Sequence, residues 1–464
     1  MSEQLSFKQS KYLVERTGLG SELNRIKKFE KKPIDFALSQ LFFQSTKSKV
    51  APPVLLNPLE MRKTKKAFRE SGNRKKSNQL YKKERVQLTN WGLQNLLKSD
   101  NALHERMVWF WHNHFTSSIK SVRTAQWMLD QDLLIRNHAL GNFADFLSAM
   151  TFEPAMLIYL DGKSNIKGQP NENFARELLE LFTLGEGHYT EDDIKEAARA
   201  FTGWKVDIKK GKAVFRKKLH DAGKKSFMGK TGQFTGEDIL QILLKNPRTA
   251  EFICEKLWYE FVSIQKPEKA AIKLWAKGFQ ASNYDISELL KTLFKSPEFW
   301  DKKYRGTLIK SPIDLVVGTL RTFDLEDGDI PLLALNKQLK RLGQELYAPP
   351  NVKGWVGGKG WIDDVTLPIR QRFLQRLLRG QVGINKKKKM SKGMNNKEGG
   401  MMANDMNKEE KNQPMEMTLP NLPELPDQQW SEWLLPIIAV SNIRTNNKRN
   451  KLKALVLDPA YQLK

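Results

Sequence analysis

The stretch 171–204, NENFARELLELFTLGEGHYTEDDIKEAARAFTGW, decides the fold class. Pro170 halts whatever precedes it and Asn171 is a good N-cap. Phe174, Ala175, Leu178, Leu181 and Phe182 then form one apolar stripe until Gly185 supplies a left-handed stop. Thr190 caps a second helix whose first turn, Glu191-Asp192-Asp193, is acidic as the helix macrodipole prefers. Its Ile194, Ala197, Ala198 and Phe201 face inward until Gly203. Together the two make a helical hairpin. The period then changes. Trp204, Val206 and Ile208 alternate before a Lys-Lys-Gly-Lys turn and Ala213 and Phe215 alternate after it, which predicts a short β-hairpin within 204–227.

Outward from this stretch the helical period dominates. Upstream, Leu93, Leu96, Leu97, Leu103, Met107, Phe110, Trp111 and His114 recur at helical steps; downstream, helices are expected at 240–244, 249–262, 267–281, 285–293 and 312–322. The expectation is an all-α globular body with one small β-hairpin near 204–227. The main body covers 1–384, and 62–85 is read within it as a basic connection between helices. Residues 385–426 collapse into Lys, Met, Asn, Glu and Pro, with seven of the chain's fourteen methionines in 390–417, and read as a disordered linker or insertion. Residues 427–464 are expected to be a C-terminal helical segment packing on the body.

Composition narrows the class without naming a reaction. The chain has 464 residues, 40% of them apolar, and 78 Lys+Arg against 52 Asp+Glu, a formal charge of +26. Such a surplus favours polyanionic surroundings but says nothing about chemistry. The densest positive field is 62–85, with eleven Lys/Arg against Glu70 and Glu84. It fits either a solvated basic connection or an unselective polyanion-binding patch. Cys254 is the one cysteine, so no intramolecular disulfide can form. No secretory-type apolar stretch opens the sequence and no membrane-length apolar run follows, which alone reads as cytoplasmic, with no membrane span. Walker A, Gly-x-Gly-x-x-Gly after a strand, Gly-x-Ser-x-Gly, His-Glu-x-x-His and paired Cys-x-x-Cys motifs are all missing, which disfavours most NTPases, dehydrogenases, α/β-hydrolases and zincins.

Candidate chemistry concentrates where histidines and carboxylates cluster. His112 and His114 flank Asn113. On a continuous helix they point ~200° apart, so a shared divalent metal requires the helix to end by Trp111; a hydrogen-bonded core role and an acid–base role are the other readings. The polar face of the 172–184 helix carries Asn173, Arg176, Glu177 and Glu180. Their spacing fits exposed ion pairs or a ligand-facing surface. His220 and Asp221 stand in a turn. In PPNVKGWVGG (349–358), Asn351, Lys353 and Trp355 follow two stiff prolines, so Trp355 is either a core plug or an aromatic platform.

These quoted segments resemble a bacterial family known only as domain of unknown function 1800. Besides 171–204 with its Trp204, the resemblance rests on Trp111–Phe115, Glu153–Asp161, His220-Asp221, Lys256–Trp258, Pro349–Trp355 and Asp458–Tyr461, in that order along nearly the whole chain. It implies a mostly helical fold and no established reaction, cofactor or catalytic residue. It also implies an exported or envelope location and a sulfatase- or phosphatase-like partner encoded nearby, although the chain lacks an obvious export signal. The functional expectation is a polar cleft that binds or hydrolyses an anionic or glycan-type ligand, formed where Trp111–Phe115, Asn171–Glu180 and His220-Asp221 converge. If it is a hydrolase, Glu177 or Glu180 serves as base or metal ligand, His112 or His114 as proton carrier or ligand, and Arg176 as anion clamp. The alternatives are a non-catalytic assembly partner and a polyanion binder acting through 62–85.

Overall fold

The computed structural model describes residues 4–43, 50–325, 331–381, 422–445 and 447–464. Twenty-two helices account for most of these residues, joined by two small antiparallel two-stranded sheets. Residues 385–421 of the expected linker lie outside the described residues. No described helix is long and apolar enough to cross a membrane.

The 171–204 stretch folds as its periodicity predicts, with one departure. Asn171 accepts the Asn173 N–H at 3.0 Å, and α-helix runs over Glu172–Glu177. The backbone then widens into π-helix over Leu178–Thr183, where the Thr183 hydroxyl donates to Leu178 O at 2.6 Å. Gly185 ends it at φ +83°. Thr190 and Asp193 close a capping box on the Glu191–Ala200 helix. Strands Trp204–Asp207 and Lys212–Phe215 pair in register Trp204 to Phe215. The sequence predicted one hairpin; a second follows, Lys225–Phe227 with Lys230–Gly232, turned by Met228 at φ +49° and Gly229 at φ +74°. Two positive-φ residues are what a tight two-residue turn requires, and three-residue strands are too short for alternation to reveal them.

The segment expected as a basic connection is itself helical. Pro58–Glu70 is capped by an Asn57–Glu60 box, and Arg74–Lys98 is capped by Asn73.

The core gathers around the Ala102–His114 helix. Trp111 is fully buried and packs on Phe115, Phe143 and Phe146 with ring centroids 5.3–5.9 Å apart. The first helix, Phe7–Thr17, is buried on nearly every side, including Lys11, Glu15 and Arg16. Arg16 donates to four carbonyls, Phe261 O, Val262 O, Tyr304 O and Lys464 O, at 2.9–3.1 Å. Two of them are orphan acceptors at the C-terminal end of the Pro247–Phe261 helix, so one guanidinium fixes the end of that helix against the C-terminal segment. Elsewhere in the C-terminal segment, Trp433 Nε1 donates to Ser21 O at 2.7 Å and the Tyr461 hydroxyl to Thr319 Oγ1 at 3.0 Å.

Candidate functional site

The Ala102–His114 helix separates two polar environments. On one side, Arg106, Trp109, Phe110 and Asn113 open onto a cavity of about 450 Å3, closed by the Pro247–Phe261 helix, the start of Pro312–Thr322 and the 355–361 loop. On the other, His104, Glu105 and His112 meet the Ala125–His138 helix.

The cavity floor is ionic. Arg106 donates to Gly18 O at 2.9 and 2.5 Å, to Glu260 Oε1 at 2.6 Å and to Asp314 Oδ1. Asp314 also accepts from Lys464 Nζ at 2.7 Å and closes a capping box with Ser311. Burial alone would raise the Asp314 carboxyl, but Arg106 and Lys464 hold it far below the usual carboxylate range. Burial likewise opposes the Arg106 charge, and Asp314 and Glu260 more than offset that.

The walls are aromatic. Trp109, Trp355, Trp361, Phe110 and Tyr259 line the space, with Trp109 and Trp355 6.1 Å apart at 55°. The indole N–H groups of Trp109 and Trp355 are buried and have no partner among the described residues. Asn113 sets the position of Trp355 by accepting its backbone N–H at 2.7 Å. Next to it, Gly354 has φ +88°, and a Cβ there would lie 2.2 Å from Asn113 Oδ1 and 2.8 Å from Asn113 O. The side chain could turn aside, but the helix carbonyl could not. Gly354→Ala is therefore expected to cost about 2 kcal/mol or more and to shift tryptophan emission, measured by thermal melts with fluorescence.

Lys256 is the distinctive cation. It lines the cavity and lies 5.2 Å over the Phe252 ring, with no hydrogen bond or acidic partner among the described residues. Burial lowers its affinity for a proton. Lys359 lines the same space from an exposed position. Among the lining side chains four cations stand against two carboxylates, and the carboxylates are already taken by Arg106 and Lys464.

Of the residues singled out from sequence, Trp355 lines this cavity. His112 lies behind it: Nε2 donates to Asp132 Oδ2 at 2.8 Å, and Trp109 packs over the ring at 5.0 Å. Asp132 also accepts from Arg136 Nε at 2.5 Å and the Tyr347 hydroxyl at 3.1 Å, and Arg136 continues to Glu105 at 2.6 Å. Burial would raise Asp132, but Arg136 and His112 bring it down to about 2. His114 points elsewhere, donating from Nε2 to Phe182 O at 3.2 Å while Nδ1 has no partner among the described residues. Burial, and then the nearby Lys256, push its pKa well down. The helix runs through His114, so the condition for the two imidazoles to share an ion is not met. Among the described residues no group of three or more His, Cys, Asp or Glu is arranged to hold a metal.

The polar face of 171–185 forms its own cluster. Lys353 Nζ lies 3.5 Å from Glu180, which also accepts from the Tyr189 hydroxyl at 3.1 Å. Glu177 is nine-tenths buried, and burial together with Glu180 raises its carboxyl. Arg176 holds Glu191 at 2.8 Å and Glu172 at 3.3 Å, while Asn171 and Asn351 cap local turns. Asn173 is exposed. A third group surrounds His220, whose Nδ1 donates to Thr202 O at 3.0 Å, and Asp221, which holds Arg199 at 2.8 Å. Trp204 stacks on Phe152 at 4.1 Å.

Sequence reasoning missed Arg106, Lys256, Glu260 and Asp314 as site residues. Arg106 carried a usable signal, since a charge one turn before Phe110 and one residue before Met107 borders the apolar stripe of a core helix. Asp314 reads as an ordinary capping residue and Lys256 as one more lysine.

A family model described as "Protein of unknown function (DUF1800)" matches residues 12–463. No curated protein and no solved structure matches the chain.

Proposed function

The chain belongs to the DUF1800 family, and from that premise we propose that it is a binding protein for an acidic saccharide, held in the cavity beside the Ala102–His114 helix. The observation that carries this reading is Lys256, a half-buried cation that lines an aromatic-walled cavity, its ammonium 5.2 Å over the Phe252 ring and without an acidic partner among the described residues. A buried cation without a counter-charge is costly, and a bound carboxylate or sulfate relieves that cost. Tyr259 offers an exposed apolar face on which a sugar ring packs, and the buried Trp109 and Trp355 rings make the wall beside it rigid.

Binding is favoured over hydrolysis because Glu260 and Asp314 are both engaged by Arg106. A carboxylate held in a charge-assisted bond is a poor proton donor, and glycoside cleavage needs one.

The test is a titration of a uronic-acid tetrasaccharide and its neutral counterpart, followed by tryptophan fluorescence. The acidic sugar is expected to bind, and Lys256→Met to weaken it by roughly tenfold or more, as loss of one partly desolvated ion pair implies. The neutral sugar should bind equally weakly to both proteins. A wild-type protein whose fluorescence responds to neither sugar defeats the proposal.

A further inference from the structure

The helices Pro58–Glu70 and Arg74–Lys98 lie side by side around the Ser71–Asn73 turn and carry the chain's densest charge. Residues 62–85 hold eleven cations against two acids. Three of the cations are occupied. Lys65 donates to Arg123 O at 3.0 Å and lies over the Tyr81 ring, Lys66 is 3.6 Å from Glu70, and Arg85 pairs with Glu345. The other eight, among them Arg62, Lys63, Arg69, Lys75, Lys76 and Lys82, are exposed and have no acidic partner among the described residues. Glu84 is buried and accepts the Leu56 N–H at 2.9 Å, so of the eight its charge acts on the neighbouring Lys83 alone.

Like charges crowded on two neighbouring helices repel one another and weaken the fold unless a polyanion neutralises them. We infer that this two-helix face binds a linear anionic polysaccharide, as a surface separate from the cavity. Three observations argue against other partners. No large apolar side chain within 58–85 is exposed, so nothing is available to enter a bilayer. The aromatic residues Phe68 and Tyr81 are half-buried, and the Tyr81 hydroxyl is committed to Ile119 O at 2.7 Å, so no platform exists for stacking single-stranded bases. Two adjacent helices, each ~10 Å across, make a face too broad to enter the ~12 Å major groove of a duplex. Along each helix Arg62 and Arg69, Lys75 and Lys82, and Lys76 and Lys83 recur every seven residues. That is roughly 10.5 Å of rise, a far wider interval than the ~1.7 Å per charge of duplex DNA. The choice of a saccharide polymer rests on the saccharide reading of the cavity; the polyanion face does not.

The experiment compares long polygalacturonate, the uronic-acid tetrasaccharide and a random-sequence DNA duplex on wild-type protein, on the quadruple variant Arg62→Glu, Lys63→Glu, Lys75→Glu, Lys76→Glu, and on Lys256→Met. Polygalacturonate affinity is expected to fall at least about tenfold between roughly 50 and 200 mM salt, and about a hundredfold in the quadruple variant with helix content unchanged by circular dichroism. The tetrasaccharide should be unaffected by the quadruple variant and weakened by Lys256→Met. Polymer binding that survives the quadruple substitution overturns the inference, and so does duplex DNA bound more tightly than polygalacturonate. If the tetrasaccharide fails to bind while the polymer remains dependent on salt and on the helical face, the cavity reading falls and this one stands.

Discussion

Glu153→Gln is expected to raise stability above about pH 8 by a few kcal/mol and to flatten the loss of stability between about pH 5 and 8. Glu153 is fully buried, caps the Pro154–Tyr159 helix through the Met156 N–H at 2.8 Å, and accepts from Gln131 Nε2 at 3.2 Å. Burial pushes its carboxyl from 4.5 up to about 8, with no cation to pull it back. The bonding pattern points the same way: Glu153 Oε1 and Gln131 Oε1 are both buried, and neither has a donor among the described residues. A proton on the carboxyl of this carboxyl–carboxamide pair supplies one.

The sign follows from proton counting. Between 4.5 and about 8 the folded chain holds a proton at Glu153 that the unfolded chain has released, so this group's contribution is complete below 4.5 and is lost as pH rises through 8. The shift corresponds to at most about 5 kcal/mol. Glutamine keeps the cap acceptor and carries a permanent donor. Urea melts of both proteins at about pH 5, 7 and 8.5 decide it, since the difference between the two curves removes other titrating groups. Among those is His114, whose lowered pKa makes stability rise with pH through 6.5, the opposite sense. Parallel pH profiles in the two proteins would mean that Glu153 is ionised in the fold.

Arg106→Leu is expected to destabilise the protein by about 3–5 kcal/mol, the usual cost of breaking a buried pair from one side. The substitution strips the guanidinium from Asp314, Glu260 and Gly18 O together. Asp314 is then left with Lys464 and Ser311, and Gly18 O with no donor to replace Arg106. Adding Asp314→Asn should recover part of the loss, because the orphaned charge goes with it; the two effects are therefore non-additive. Guanidinium melts of the single and double variants measure this coupling. A loss under about 1 kcal/mol for Arg106→Leu would mean that water reaches Asp314 as easily as in the unfolded chain.

Local chemistry was the legible part of this protein. Asn171, Thr190 and Gly185 stop and start helices through their own side chains or backbone freedom, so 171–204 could be read from its residues in order. The π-helical turn at Leu178–Thr183 could not, because it differs from α-helix by one hydrogen-bond register and leaves the apolar period nearly intact. The second hairpin escaped because its strands are three residues each.

The histidine pair marks the boundary between the two kinds of information. Sequence fixed neither partner of His112 or His114, but it did state that a continuous helix would send them apart, and they meet Asp132 and Phe182 O on different sides. The cavity itself is a product of tertiary structure. Arg106, Lys256, Asp314 and Trp355 are separated by tens to hundreds of residues, and each alone looks like a surface cation, a cap or a core plug. Helix periodicity and capping are short-range, set by neighbours within about four residues, and the amino-acid order determined them. Which charges would be buried together, and which lysine would be left without an acid, depended on how distant helices dock, and only the folded chain decided that.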